Sequence, residues 1–144
     1  MNKVFAVGVG PGSAKYVTDV VKDVISECDV IIGYGYTIKT IEEYVGEKRI
    51  IEITMQNQEE AYQQISKGGN HTILVPFTGD VNFSESEVVD RLIEVFDEVE
   101  IISGISSTQV AASRAKVPID KSKVITMHIS TSIEEKKLEL QKAL

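Results

Sequence analysis

Apolar positions along the chain fall into two alternating patterns. Short runs rich in Val and Ile occur at Lys3–Val7, Val30–Ile32, Arg49–Ile53, Thr72–Val75, Val99–Ile102 and Val124–Met127. They are mostly continuous rather than alternating, which predicts strands buried on both faces. Between the first two, Val17, Val20, Val21, Val24 and Ile25 follow the spacing of a helix with one buried face. Val88, Val89, Leu92, Ile93 and Phe96 form a second stripe of this kind, and Thr108–Ala115 is an Ala-rich helical stretch. Ile133–Leu144 reads as a further helix with Ile133, Lys137, Leu140 and Leu144 along one side, and no Gly or Asn stop signal follows it. Strand–helix alternation at this pace predicts an α/β fold, a mainly parallel sheet with helices on both faces. No repeat or linker divides it, so one α/β domain is expected.

Composition narrows the setting. The chain has 144 residues, enough for one domain with a real core. No apolar run approaches the ~18 residues of a membrane span. The apolar residues after Met1-Asn2-Lys3 are broken at once by Gly8-Val9-Gly10-Pro11-Gly12, so a buried first strand is a better reading than a signal peptide. A cytoplasmic protein is expected. Cys28 is the single cysteine, which excludes an intrachain disulfide and a metal site of the usual kind, and it reads as a small core residue. No metal is expected. The net charge of -7 argues against nucleic acid or an anionic membrane as partner. An anionic small molecule would need local cations, and Lys15, Arg114 and Lys116 stand near candidate loops.

Ligands of open parallel sheets bind beyond the carboxyl ends of the strands, so the loops leaving the strands are where chemistry is expected. The first, Gly8-Val9-Gly10-Pro11-Gly12-Ser13, has glycines that let backbone approach a ligand, ahead of a helix with free N–H groups. It is not a dinucleotide fingerprint: Ser13 stands where the third Gly is needed, and Gly33-Tyr34-Gly35 lacks the ribose-binding acid. These departures argue against a nicotinamide oxidoreductase. A tight strand-to-helix turn is the bland alternative. The second loop, Pro76 to Ser84, places Asp80 just past an apolar strand, as a ligand acceptor or as a turn former. Ser84-Glu85-Ser86-Glu87 fits a capping box, which assigns Ser84 to the helix start. The third, Ser103-Gly104-Ile105-Ser106-Ser107-Thr108, offers hydroxyls at a helix N-terminus. It is no nucleophile elbow, because Thr108 stands where Gly is required. His128, at the end of the last apolar run, reads as structural ahead of a proton relay.

Taken in this order, the loops resemble the tetrapyrrole methylase family. That family carries G-x-G-P-G, G-D-P and P-G-I-S/T-S/A segments after its first, fourth and fifth strands. This chain has Gly8-Val9-Gly10-Pro11-Gly12, Thr78-Gly79-Asp80 and Gly104-Ile105-Ser106-Ser107. Val99 to Ala112 and Val124 to His128 are similar to its CbiE branch. Val81 and Ser103 replace two family prolines, and Ile129 replaces a Gly.

The resemblance implies an S-adenosylmethionine-dependent C-methyltransferase with the cofactor in a cleft between two domains. Gly10, Pro11, Gly12, Thr78, Gly79, Asp80, Phe83, Ser106 and Ser107 would line that cleft. It implies methylation of carbon 5 of cobalt-precorrin-7, a corrinoid, or of the metal-free ring, in cobalamin biosynthesis, with a homodimer as assembly. A partner that methylates carbon 15 and decarboxylates is a further expectation. No catalytic residue is assigned. Residues 1–128 would form the cofactor-binding domain and 129–144 the start of the connection to a second domain, without which the chain is not expected to catalyse. Two rivals remain open: another methylase of the same fold, acting on a different ring position or on a protein side chain such as a diphthamide precursor, and a non-catalytic nucleotide-binding module.

Overall fold

A computed structural model describes residues 1–83, 85–127 and 132–144. The chain divides into two compact units, Met1–Ser107 and Thr108–Leu144. The boundary expected at residues 128 and 129 lies outside the described residues.

In the first unit the elements are β1 (Lys3–Gly8), α1 (Asp19–Glu27), β2 (Val30–Gly33), α2 (Gly35–Thr40), α3 (Glu42–Val45), β3 (Arg49–Glu52), α4 (Gln58–Ser66), β4 (Thr72–Phe77), α5 (Ser86–Val95) and β5 (Glu98–Ile102). The five strands form one sheet in the order β3-β2-β4-β1-β5. Every pairing is parallel, with Lys3 beside Thr72 and Glu98, and Val30 beside Arg49 and Ile73.

Alternation along each strand sends neighbouring residues to opposite faces. Val4, Ala6, Val30, Ile32, Ile73, Val75 and Phe77 pack against Tyr62 and Ile65 of α4 and Val89 and Leu92 of α5. Phe5, Val7, Ile31 and Leu74 pack on the other face, against Val21, Val24 and Ile25 of α1, and Val45 of α3. Helices therefore cover both faces, as the apolar runs predict. Connections that step from β1 and β2 toward β3 lie on one face. Those that step back, from β3 to β4 and from β4 to β5, lie on the other, as right-handed crossovers require.

Burial on both faces holds for β1, β2 and β4 but not for the edge strands. β3 and β5 are largely exposed, with Ile50 at 46% and Ile101 at 41%. An edge strand has one neighbour, and shorter cover above it, so continuous apolar character does not secure burial. The run Val124–Met127 is a further correction: it forms no strand, and Val124 and Met127 are exposed. A strand exists only by pairing, and this run has no strand partner among the described residues.

The helix stripes are narrower than their apolar spacing suggests. Thr18 caps α1, its Oγ1 accepting from Val21 N at 3.3 Å, and the helix ends at Cys28 in extended backbone. Val20 and, in α5, Ile93 lie at the rims of their stripes and face solvent. The second unit contains α6 (Ser107–Ala115) for most of its length, a 3-10 turn at Ile119–Lys121 and α7 (Ile133–Ala143). Ile133, Leu140 and Leu144 are exposed. No helix is long and apolar enough to cross a membrane among the described residues.

Cys28 is buried between α1 and β2, as its setting in the sequence predicts, and burial pushes its thiol up to about 12. The thiolate is the reactive form, so the folded chain should resist modification. A disulfide-forming thiol reagent at pH 8 is expected to leave Cys28 unmodified under native conditions and to label it fully in denaturant. Fast labelling of the native chain would contradict the packing of this junction.

Candidate functional site

At the amino edge of the sheet, side chains close the structure. Asp29 Oδ1 accepts from Thr72 N at 2.8 Å, and Asn2 bridges Ser66 O and His71 N. The carboxyl edge is built differently. Neighbouring strands β2, β4 and β1 send their following helices to alternate faces, the arrangement that in open parallel sheets leaves a crevice beyond the carboxyl ends.

Three glycine-bearing loops meet there. Beyond β1, Val9 N donates to Phe77 O at 2.8 Å. Gly10 and Gly79 then exchange hydrogen bonds, Gly10 N to Gly79 O at 3.1 Å and Gly79 N to Gly10 O at 2.7 Å. Both residues adopt positive φ, +84° and +72°, which a side chain would strain. Gly8 carries the closest approach: a Cβ there would lie 2.5 Å from Gly79 O and 2.7 Å from Gly104 N. A Cβ on Gly104 would strike the carbonyl oxygens of Gly79 and Gly8. The backbones leaving β1, β4 and β5 are thus in mutual contact, which only glycine permits.

Asp80 ties the second loop to the third. Its Oδ1 accepts from Gly104 N at 3.3 Å, from Asn82 N at 3.2 Å and from Asn82 Nδ2 at 3.0 Å. Phe83 N donates to Asp80 O at 3.0 Å, closing the turn. Val81, where the resembling family has proline, is buried in the core and anchors the loop from below. Ser106 is buried, with its Cα 3.6 Å from where a Cβ on Gly79 would stand. Ser107 begins α6 and is exposed.

The residues expected to line a cofactor cleft therefore fall together. Gly10, Gly79 and Ser106 are buried where the loops meet and Asp80 is half-buried beside them, while Gly12, Thr78, Phe83 and Ser107 are exposed and Pro11 is half-buried. One expectation needs correcting. The first loop does not run straight into a helix: Ser13 Oγ accepts from Lys15 N at 3.3 Å and caps a 3-10 turn, Ala14–Tyr16, and α1 begins only at Asp19. Its N–H groups are not at the loop. Lys15 is exposed on that turn, while Arg114 and Lys116 belong to the second unit. Ser84 and His128 lie outside the described residues, and α5 begins at Ser86 with Glu85 at its N-cap. No cluster of three or more metal-ligating side chains occurs among the described residues.

A feature that the sequence reading missed stands beside these loops. Tyr34, at the N-cap of α2, and Tyr36, in its first turn, stack with ring centroids 5.6 Å apart and planes 15° from parallel. The Tyr34 hydroxyl reaches Gln58 Oε1 at 3.2 Å and Met55 Sδ at 3.4 Å. The signal was available in Gly33-Tyr34-Gly35-Tyr36, two aromatics just beyond a fully buried strand.

Comparisons with known proteins agree with this geometry. The profile of the Tetrapyrrole (Corrin/Porphyrin) Methylases matches residues 3–144. The probable cobalt-precorrin-7 C(5)-methyltransferase of Methanocaldococcus jannaschii is 28% identical over 144 residues, covering 96% of this chain and 66% of the relative. Among solved structures, the methyltransferase CobJ superposes with a TM-score of 0.80 at 20% identity, over 99% of this chain and 64% of that one. The precorrin-6Y methylase CbiE of Archaeoglobus fulgidus gives a TM-score of 0.70 at 24% identity, over 88% of this chain and 65% of that one. The chain thus spans just under two thirds of the length of each of these proteins. The five-stranded parallel sheet is that of a family whose profile covers nearly every residue, and the chain belongs to the tetrapyrrole (corrin/porphyrin) methylase family.

Proposed function

We propose that the chain is the cofactor-binding part of an S-adenosylmethionine-dependent methyltransferase that acts on a corrin-ring carbon, carbon 5 of cobalt-precorrin-7. The observation that carries this reading is the convergence of the Gly8–Gly12, Thr78–Asp80 and Gly104–Ser107 loops at one end of a parallel sheet. The choice of carbon 5 is supported by the sequence likeness to the Methanocaldococcus enzyme.

The residues present fit such a cofactor. A partly exposed carboxylate at Asp80 suits a cationic centre or ribose hydroxyls, and Thr78 and Ser107 add hydroxyls. Pro11 and Phe83 offer apolar surface to a purine, and the space where a Cβ on Gly12 would stand is empty to 4 Å. When bound, the cofactor supplies a methyl group already activated by its sulfonium charge. The protein's part is then to hold donor and acceptor in line and to exclude water, for which alignment is the main source of rate. No general base is required of these residues. A second domain after residue 128, a homodimer, a cytoplasmic location and a carbon-15 methylating and decarboxylating partner belong to the same proposal.

Hydrogen exchange tests the cofactor. S-adenosylhomocysteine is expected to protect amides in Gly8–Gly12, Thr78–Asp80 and Gly104–Ser107 together, while NAD protects none. Protection confined to the first loop would overturn the three-loop site, and protection by NAD would overturn the methylase reading.

A further inference from the structure

The carboxyl edge of the sheet has two chemically distinct halves. Over β4, β1 and β5 it is glycine and hydroxyl, with backbones in contact. Over β2 and β3 it is aromatic and thioether: Tyr36, in the first turn of α2 after β2, is 65% exposed, and Met55, on the loop leaving β3, is 73% exposed. Both lie on strand exits, and single exposed apolar residues are ordinary. These are not single. The Tyr34 hydroxyl, within reach of Met55 Sδ and Gln58 Oε1, links the two loops, and Tyr36 lies flat on Tyr34.

The bland account is that Tyr36 covers Tyr34. It covers little, because most of its own surface stays in water. The stack is nevertheless held from below. Tyr34 packs against the core cluster of Val30 and Ile32, and Thr37 Oγ1 donates to Tyr34 O at 2.9 Å. A nearly parallel ring pair, held from below and with its outer ring in solvent, is prepared to receive another π-system.

Its position matches the crevice. A Cβ on Gly33, the residue before Tyr34, would stand 2.9 Å from the Pro76 ring, and Pro76 lies two residues before Thr78. The Glu85 carboxylate, two residues past Phe83, acts electrostatically on both phenols. The aromatic half is therefore continuous with the second cofactor loop.

We infer that Tyr36, backed by Tyr34 and flanked by Met55, is a platform for the conjugated part of the methyl acceptor, a tetrapyrrole macrocycle. This rests on the corrinoid reading above. The division of labour follows from the chemistry of the two halves. Glycine backbone and hydroxyls suit a polar nucleoside cofactor, whereas an aromatic ring and a polarisable thioether suit a large π-face. The exposed part of the platform is a phenol ring and a thioether, so contact is through the ring face. Tyr36 acts as a positioning residue and carries no chemistry.

The test uses the 144-residue chain, with cobyrinic acid as corrinoid probe and S-adenosylhomocysteine as cofactor probe, both followed by equilibrium dialysis. Tyr36→Ala is expected to weaken corrinoid binding about tenfold. Tyr36→Phe should keep it within about twofold, since the ring is retained, and cofactor affinity should be unchanged in both variants. Corrinoid affinity unaffected by Tyr36→Ala would overturn the platform and leave the methylase reading standing. So would equal losses in the Ala and Phe variants, which would point to the hydroxyl and not the ring. A wild-type chain that binds the cofactor probe but no corrinoid also overturns the platform. A chain that binds neither overturns both readings.

Discussion

Adding one methyl group at Gly8 or Gly104 is expected to cost about 3 kcal/mol of stability and to remove cofactor binding from the fraction that still folds. The atoms such a methyl meets decide the size of this effect. At Gly8 they are Gly79 O and Gly104 N at 2.5 and 2.7 Å, both backbone, on the loops leaving the central strand β4 and the edge strand β5. A side chain could rotate away, but these atoms can retreat only if β4 or β5 moves relative to β1. That movement would break the Gly10–Gly79 hydrogen bonds and the bond from Gly104 N to Asp80. Gly12→Ala is the control. Its φ of +130° makes alanine strained, yet nothing lies within 4 Å of the new methyl, so the cost is confined to backbone conformation, about 1–2 kcal/mol. Chemical denaturation of the three variants, with cofactor titration of the folded fraction, measures the difference. A Gly8→Ala variant no less stable than Gly12→Ala would mean that the three backbones are not in contact.

This contact explains why the site was only partly legible in the sequence. Each loop could be found alone, because a glycine or hydroxyl cluster after a Val- and Ile-rich run marks a strand exit. That the first, second and third loops touch one another depends on strand order. β1 lies between β4 and β5 although it precedes them by about 70 and 95 residues, and no local pattern carries that information. Strand order also decides which apolar strands are edges, so the exposure of Ile50 and Ile101 could not be read from β3 and β5 themselves. Val124–Met127 has the residues of a strand but no neighbour to pair with among those described, and pairing is not a property of the run. The interior elements, by contrast, were readable because their pattern and their burial have the same cause. Val21, Val24 and Ile25 on α1 and Ile31 and Leu74 on the sheet show it: the centre of each apolar pattern is in the core, and only a rim position such as Val20 is not. Tyr34 and Tyr36 were overlooked for a different reason. Gly33-Tyr34-Gly35 lacks the acid of a nucleotide motif, and aromatics beside glycines after a strand carry no spacing signal of their own.

The second large effect concerns Asp80, which the sequence left as either a turn former or a ligand acceptor. The structure makes the first role concrete without removing the second, since one oxygen, Oδ1, takes hydrogen bonds from Gly104 N, Asn82 N and Asn82 Nδ2. Truncating it leaves Gly104 N, a half-buried donor, without that partner, so Asp80→Ala should cost about 2 kcal/mol. It should also loosen the junction of the second and third loops and so weaken cofactor binding, whatever the carboxylate does to the ligand. Alanine alone therefore cannot separate bracing from charge. Asp80→Asn can, because asparagine keeps an oxygen able to accept the same bonds while losing the negative charge. Its stability should lie within about 0.5 kcal/mol of the parent, as befits a change that keeps the partners in place. If the carboxylate faces a sulfonium, S-adenosylmethionine affinity should fall about tenfold, ~1.4 kcal/mol. S-adenosylhomocysteine carries no sulfonium charge, and its affinity should fall by much less. The ratio of the two affinities is the informative quantity, since any residual loosening of the loops affects both ligands alike. An Asp80→Asn chain that binds the two ligands in the parent's ratio would assign Asp80 to bracing alone. Discrimination of the charged cofactor would then have to come from another group.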